Sequence, residues 1–337
     1  MAYEFVDFVV TEASRDTWDR YHVFRRIRHA VERPDDPVRS DEATELDLKY
    51  VSPFNEVRRV LVVDGEEVVG YCVASRHTPA SPDYEENKHI MRTYAEILPS
   101  HQRKGIGIEW ASRVKQIAAG WDKSLVTIWT EEESGNAFLT KIGAEPKLFE
   151  NENRLDLGAL DWDLVDRWIE EGAKRSPGSK LEFHDTRFPA VLYDEYCPVY
   201  TEITNDMPLE ELEMGAEVYT PERWVDVTKW LDQTGGSHHT FLVREEDGQI
   251  SALSDILHNP DTETLVYQWA TGVLRQYRGR GLGKWVKAAM LKFIRERYPE
   301  ARFIVTYNAK SNAPMMAINN ALGFKAYRQE TAYQIKV

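Results

Sequence analysis

"TLVYQWATGVLRQYRGRGLGKWVKAAMLKFIRERY" (264–298) passes from a β-branched and aromatic run, through a turn crowded with glycine and arginine, into apolar residues at helical spacing. At a strand-to-helix junction the first helical N–H groups have no acceptor within the helix, and the helix dipole leaves partial positive charge there. Gly279, Gly281 and Gly283 let the backbone come close to a ligand, while Arg278 and Arg280 add charge and forked donors. The turn therefore reads as a cradle for phosphate. Its spacing excludes a P-loop, which needs GxxxxGK followed by Ser or Thr. It also excludes the dinucleotide fingerprint GxGxxG, whose third glycine would fall on Lys284.

The same order occurs earlier in the chain. "RTYAEILPSHQRKGIGIEWASRVKQIAAGW" (92–121) is again an apolar run, a basic Gly-bearing turn and a helical stretch. Each is preceded by two strand-like runs around an Asp-Gly turn, "VRRVLVVDGEEVVGYCVAS" (57–75) and "HTFLVREEDGQISALSDI" (239–256), and followed by a strand, "LVTIWT" (125–130) or "RFIVTY" (302–307). Gly105 and Gly281 lie 176 positions apart, Gly65 and Gly248 183 apart. A unit this long, seen twice, is a duplicated domain and not a solenoid repeat. "DWDLVDRWIEEGAKRSPGSK" (161–180) reads as a charged helix closed by a Pro-Gly turn, hence a connector. The expected layout is a first domain over 1–158, a linker helix over 159–177 and a second domain over 178–337.

A chain of 337 residues fits two domains, and 42% hydrophobic with 29% charged residues is ordinary for a globular protein. Its 56 acidic against 42 basic residues, net −14, oppose attraction to nucleic acid and to anionic membranes. No apolar run approaches a membrane span, and the start "MAYEFVDFVVTEASRD" lacks the basic-then-apolar order of a signal peptide, so the expected location is cytoplasmic. Cys72 and Cys197 read as reduced structural thiols, and the adjacent His238 and His239 as solvated loop residues. No metal site is expected.

Arg278-Gly279-Arg280-Gly281-Leu282-Gly283 and Gln102-Arg103-Lys104-Gly105-Ile106-Gly107 both fit the pattern Q/R-x-x-G-x-G/A. This resembles the pyrophosphate-binding motif of the GNAT acetyltransferase superfamily. The resemblance implies an α/β (α+β) chain of two tandem GNAT folds, each a mixed, mostly antiparallel central sheet flanked by helices. It also implies acetyl-CoA as cosubstrate and a small-molecule amine as acceptor. The strand ends Val273–Leu274 and Ile97–Leu98 would then contact pantetheine. "NAKSNAPMMAINNALGFKAY" (308–327) is similar to the family's later motif, adding Asn308 and Asn312 to the cofactor contacts; Asn312 and Gly323 are also a suitable helix start and stop. In "EEESGNAFLTKIGAE" (131–145), Glu132 stands where the second half has Asn312, so the first cofactor site is partly degenerate.

For the chemistry, the resemblance implies direct attack of the amine on the thioester. The position where many members carry an acidic Tyr is Asn319 here and Leu139 in the first half. An amide is no proton donor of useful pKa, which leaves water or Tyr307. Candidate bases are Glu263 and Tyr267, with Gln268 and Asp255 near them and Glu96 on the matching first strand. Tyr193, Tyr196 and Tyr200 of "FPAVLYDEYCPVYTEITNDMP" (188–208) have the spacing of a buried helix face, with Asp206 close behind. The order of "NDMP" and "TPERW" resembles bacterial two-domain members organised like mycothiol synthase. Two alternatives follow: acetylation of a cysteinyl pseudodisaccharide, or a noncatalytic acyl-CoA sensor or scaffold. Nothing in the sequence sets the oligomeric state.

Overall fold

The computed structural model describes residues 3–185 and 187–337, which form two compact units. The first holds the described residues up to Phe149, with Glu211–Gly215 and Glu330–Val337; the second holds Glu150–Glu210 and Ala216–Gln329. Two of the unit boundaries fall within strands.

The first unit contains β1 (Glu4–Asp7), α1 (Arg15–Glu32), α2 (Asp41–Lys49), β2 (Asn55–Asp64), β3 (Glu67–His77), α3 (Tyr84–Asn87), β4 (Ile90–Ile97), α4 (Ile106–Gly120), β5 (Leu125–Thr130), α5 (Glu133–Lys141) and the start of β6 (Glu145–Asp156). The second contains the rest of β6, α6 (Trp162–Arg175), β7 (Lys180–His184), α7 (Ala190–Asn205), α8 (Pro221–Thr234), β8 (Ser237–Arg244), β9 (Ile250–His258), β10 (Leu265–Val273), α9 (Leu282–Arg297), β11 (Phe303–Ala309), α10 (Ala313–Leu322) and the start of β12 (Lys325–Lys336).

In the first unit the strands run β1-β2-β3-β4-β5-β12, antiparallel except for β4 with β5. In the second the order is β6-β11-β10-β9-β8-β7, with β10 and β11 the parallel pair. Both Asp-Gly turns close hairpins as expected, Gly65 and Gly248 supplying the positive φ. Thr331–Lys336 of β12 complete the first sheet against β5, and residues 150–156 of β6 complete the second against β11.

The second sheet is buried on both faces. Leu242 and Leu253 pack under α7 and α8 with Tyr196, Tyr200 and Trp224, while Ile256, Val266 and Ile304 meet α6, α9 and α10. This corrects the reading of His238 and His239: they lie in β8, only 2% and 3% exposed, because that strand is internal to a doubly covered sheet. Burial pushes the His239 imidazole down to about 4.

The helix read as a connector packs inside the second unit. Asp161 caps it, and Val165, Trp168 and Gly172 are buried. A Cβ on Gly172 would lie 2.4 Å from Cγ of Trp285 on α9. Gly172→Ala is therefore expected to lower stability by about 1–3 kcal/mol through overpacking, more than the roughly 1 kcal/mol gained in helix propensity. Thermal unfolding checks this; an unchanged or raised midpoint contradicts it.

Candidate functional site

β10 and β11 pair only from Leu265↔Phe303 to Tyr267↔Val305 and then part. Just beyond, the register of β10 against β9 shifts between Gln268 and Thr271. After Val273 a single 3-10 turn leads into the glycine-arginine segment, and α9 starts at Leu282. Gly279 and Gly281 hold φ of +82° and +85°, the left-handed conformation that favours glycine. Gly281 is the N-cap and has no side chain to satisfy the first N–H groups of α9. Those groups border a cavity of about 600 Å³, within the range of small-molecule sites.

Besides the turn, its walls include Gly272 and Val273 of β10, Asp206 at the end of α7, and Asn312 and Met315 at the start of α10. Gly272 is required by contact, since a Cβ there would sit 2.3 Å from Ile203 of α7. Arg278 donates through Nε to the Val273 carbonyl at 3.1 Å and pairs with Asp206, which also accepts from Arg275 Nε at 2.8 Å. Partial burial would raise the Asp206 carboxyl, but the hydrogen bonds from Arg278 and Arg275 outweigh it and hold it below the usual range. Two guanidinium groups are thus oriented around the Asp206 carboxylate, and of these Arg278 lines the cavity.

The structure brings Val273, Arg278, Gly279, Gly281, Leu282, Gly283 and Asn312 together around this space. Asn312 caps α10, its side chain accepting from the Met315 N–H at 3.3 Å. Other expected residues point elsewhere. Leu274 is buried with the aromatic side chains of α7 and α8. Arg280 turns away to Ser176 Oγ (3.2 Å), Ser179 Oγ (2.8 Å) and Glu245 Oε2 (3.0 Å). Glu263 is exposed after the turn Pro260–Thr262, where its carbonyl accepts from His258 Nε2 at 3.4 Å.

The expected catalytic groups do not form one cluster at the cavity. Tyr267 is half-buried at the last parallel pair of β10. Tyr307, 39% exposed on β11, donates to Glu152 Oε2 at 3.3 Å. Asn319 is fully buried, donating through Nδ2 to Asn308 Oδ1 at 2.8 Å and accepting from Lys287 Nζ at 2.6 Å. Glu152, paired with Arg154, and Lys287 were not among the residues singled out in the sequence, although a lysine in the middle of the apolar run of α9 was a visible sign. Among the described residues no group of three or more His, Cys, Asp or Glu is placed to hold a metal, and no helix is long and apolar enough to cross a membrane.

In the first unit the matching turn keeps Gly105 at φ +92° as the N-cap of α4, with Lys104 exposed and Ile106 buried. Arg103 also has a positive φ, +62°. A smaller cavity, about 120 Å³, lies between β4, β5, α4 and α5, and side chains beside the turn bond one another. The Ile97 carbonyl accepts from Arg28 Nη1 (3.1 Å) and Gln102 Nε2 (3.4 Å), and both side chains also reach Glu132. Leu98 is buried in the core. Phe138 lies over Gly107, where a Cβ would stand 3.2 Å from the ring.

Residues 198–324 match the acetyltransferase (GNAT) family. That segment carries the glycine-arginine turn and the α10 motif. A tandem GNAT protein from the clavulanic acid biosynthesis pathway superposes with a TM-score of 0.76 at 20% identity, covering 99% of this chain and 98% of that one. A GCN5-related N-acetyltransferase from Sphaerobacter thermophilus gives 0.64 at 15% identity over 99% and 95% of the two chains. A GCN5-related glucosamine N-acetyltransferase region of a fungal multi-domain GH3 β-N-acetylglucosaminidase gives 0.65 at 13% identity, covering 99% of this chain and 38% of that one. Among curated proteins none matches. The fold is two GNAT folds in tandem.

Proposed function

We propose that the second unit is an acetyl-CoA-dependent N-acetyltransferase acting on a primary amine of a small molecule. The observation that carries this is the cavity where β10 and β11 part, bordered by the unsatisfied N-terminus of α9 and by Arg278. These groups fit the cosubstrate: N–H donors and a guanidinium for its diphosphate, and Gly279 and Gly281 for close backbone approach. In this reading Asn312 and the edge of β10, which line the same cavity, contact the pantetheine arm.

Acetyl-CoA supplies an activated acyl carbon when bound. Attack by the amine forms the N–C bond and breaks the C–S bond; the amine proton leaves to a base, and the departing thiolate is protonated. The buried amide of Asn319 does not serve as acid and Tyr307 does not line the cavity, so water entering it supplies that proton.

The first unit supports a structural role. Arg28, Gln102 and Glu132 bond one another beside the first turn, and the cavity of about 600 Å³ in the second unit has a counterpart of only about 120 Å³ there. Isothermal titration with acetyl-CoA is expected to give one site per chain, unaffected by Gly105→Asp. Two sites, or a single site lost with Gly105→Asp, would overturn this assignment.

A further inference from the structure

The two units share one strand architecture and differ where it matters for the cavity. In the first unit β3 and β4 pair without interruption from Gly70↔Ile97 to Ser75↔Arg92. In the second, β9 and β10 pair in step through Val273↔Ala252, Gly272↔Leu253 and Thr271↔Ser254, then resume at Gln268↔Ile256. Trp269 and Ala270 therefore both stand opposite Asp255. This is a β-bulge, which bends its strand and re-aims the residues beside it. Those residues, Thr271 to Val273, line the cavity.

An extra residue leaves a backbone N–H without a ladder partner, and a buried one needs an acceptor. Ala270 donates its N–H to Asp255 Oδ1 at 2.7 Å. Asp255 has no solvent exposure, and its second oxygen lies 2.9 Å from Nε2 of His238, itself 2% exposed. On the opposite face Gln268 Nε2 donates to Ser254 Oγ (2.8 Å) and Thr271 Oγ1 (2.9 Å), tying the residues that flank the bulge.

Alignment of Val273 with Ile97 through the paired registers shows what the unbulged unit has instead. Asp255 corresponds to Val73, His238 to Val57, Ser254 to Cys72 and Thr271 to Ala95. The first unit builds the same sheet with apolar residues there. A buried carboxylate–imidazole pair is no more stabilising than well-packed apolar side chains, so stability does not account for its presence.

We infer that Asp255 and His238 form a latch that pins the β10 bulge and so sets the shape of the cofactor cavity. They are positioning residues: Asp255 holds the Ala270 N–H, and His238 holds Asp255. The inference rests on the reading of the cavity as an acetyl-CoA site.

The test replaces the latch by the first unit's own residues. His238→Val with Asp255→Val leaves no unpaired charge and is expected to keep the melting temperature within a few degrees while weakening acetyl-CoA binding at least 10-fold by calorimetry. His238→Gln with Asp255→Asn, which retains a donor and an acceptor for the Ala270 N–H, is expected to restore binding to within about 3-fold of wild type. Hydrogen exchange of the wild-type protein is expected to show a protected Ala270 amide that becomes fast in the valine pair.

Wild-type affinity in a folded valine pair overturns the latch, as does a fast-exchanging Ala270 amide in the wild-type protein. Should the valine pair not fold, the amide pair and the wild-type exchange decide. Absence of acetyl-CoA binding by the wild-type protein refutes the cofactor reading instead, and the exchange of Ala270 still reports on the latch.

Discussion

Replacing Gly281 by Asp is expected to weaken acetyl-CoA binding by about 100-fold or more, on the order of 3 kcal/mol. Three effects add. Gly281 holds φ at +85°, which costs a residue with a Cβ roughly 1–2 kcal/mol. The new carboxylate would stand at the N-terminus of α9, within the seat for the diphosphate, where it takes up the N–H groups and dipole that favour an anion. It also repels the phosphates directly. The fold itself is expected to survive, since a Cβ at this position meets only Arg175, at 3.7–3.8 Å. Gly281→Ala isolates the backbone effect and is expected to lose less than 10-fold. Calorimetry on both variants, with Gly105→Asp as the matched change in the first unit, checks the prediction. Wild-type affinity in Gly281→Asp would remove the turn from the binding site.

Local signals carried much of this architecture. Asp-Gly turns need positive φ and Gly65 and Gly248 supply it; Asn312 and Gly323 bracket α10 because capping chemistry acts within a few residues. The duplicated order of hairpin, strand, turn and helix follows from such signals. What depends on distant partners was not legible. Nothing in residues 150–156 says that they pair with β11 and not with the sheet of the preceding strands, and nothing in 331–336 points back to β5.

The site follows the same rule. Arg278 and Arg280 look equivalent in the motif, yet one faces the cavity with Asp206, 72 residues away, and the other is tied to Glu245. The bulge at Trp269 and Ala270 is invisible in sequence because it exists only relative to β9. Arg28 reaches Glu132 across 104 positions. The substitution of Glu132 for Asn312 was readable, but not that it recruits an arginine from α1 to the side of the first unit's turn.

Lys287 yields the second large prediction. Its ammonium is 1% exposed on α9, beside Asn319 Oδ1 (2.6 Å), Met315 Sδ (3.8 Å) and the Phe324 ring (4.8 Å to the centroid). None of these contacts is an anion, and burial pushes the amine down from its ordinary 10.5 to about 7. The unfolded chain therefore binds more protons than the folded one between these values, so stability rises with pH across that window, by up to about 1.4 kcal/mol per pH unit. Below pH 7 the full penalty applies, roughly 5 kcal/mol; above 10.5 it is gone. Lys287→Met keeps length and volume without the charge, but leaves the Asn319 carbonyl without its donor, a loss of about 1–3 kcal/mol. At pH 7 the variant is thus expected to be more stable by about 1–3 kcal/mol, with an advantage that shrinks and reverses toward pH 10. Urea unfolding of both proteins from pH 6 to 10 measures this, other titrations cancelling in the difference. A difference independent of pH would mean that the amine is not neutralised by burial. A pH-dependent one would identify Lys287 as a group that lowers stability near neutral pH while orienting Asn319, whose amide reaches Asn308 on the strand that parts from β10.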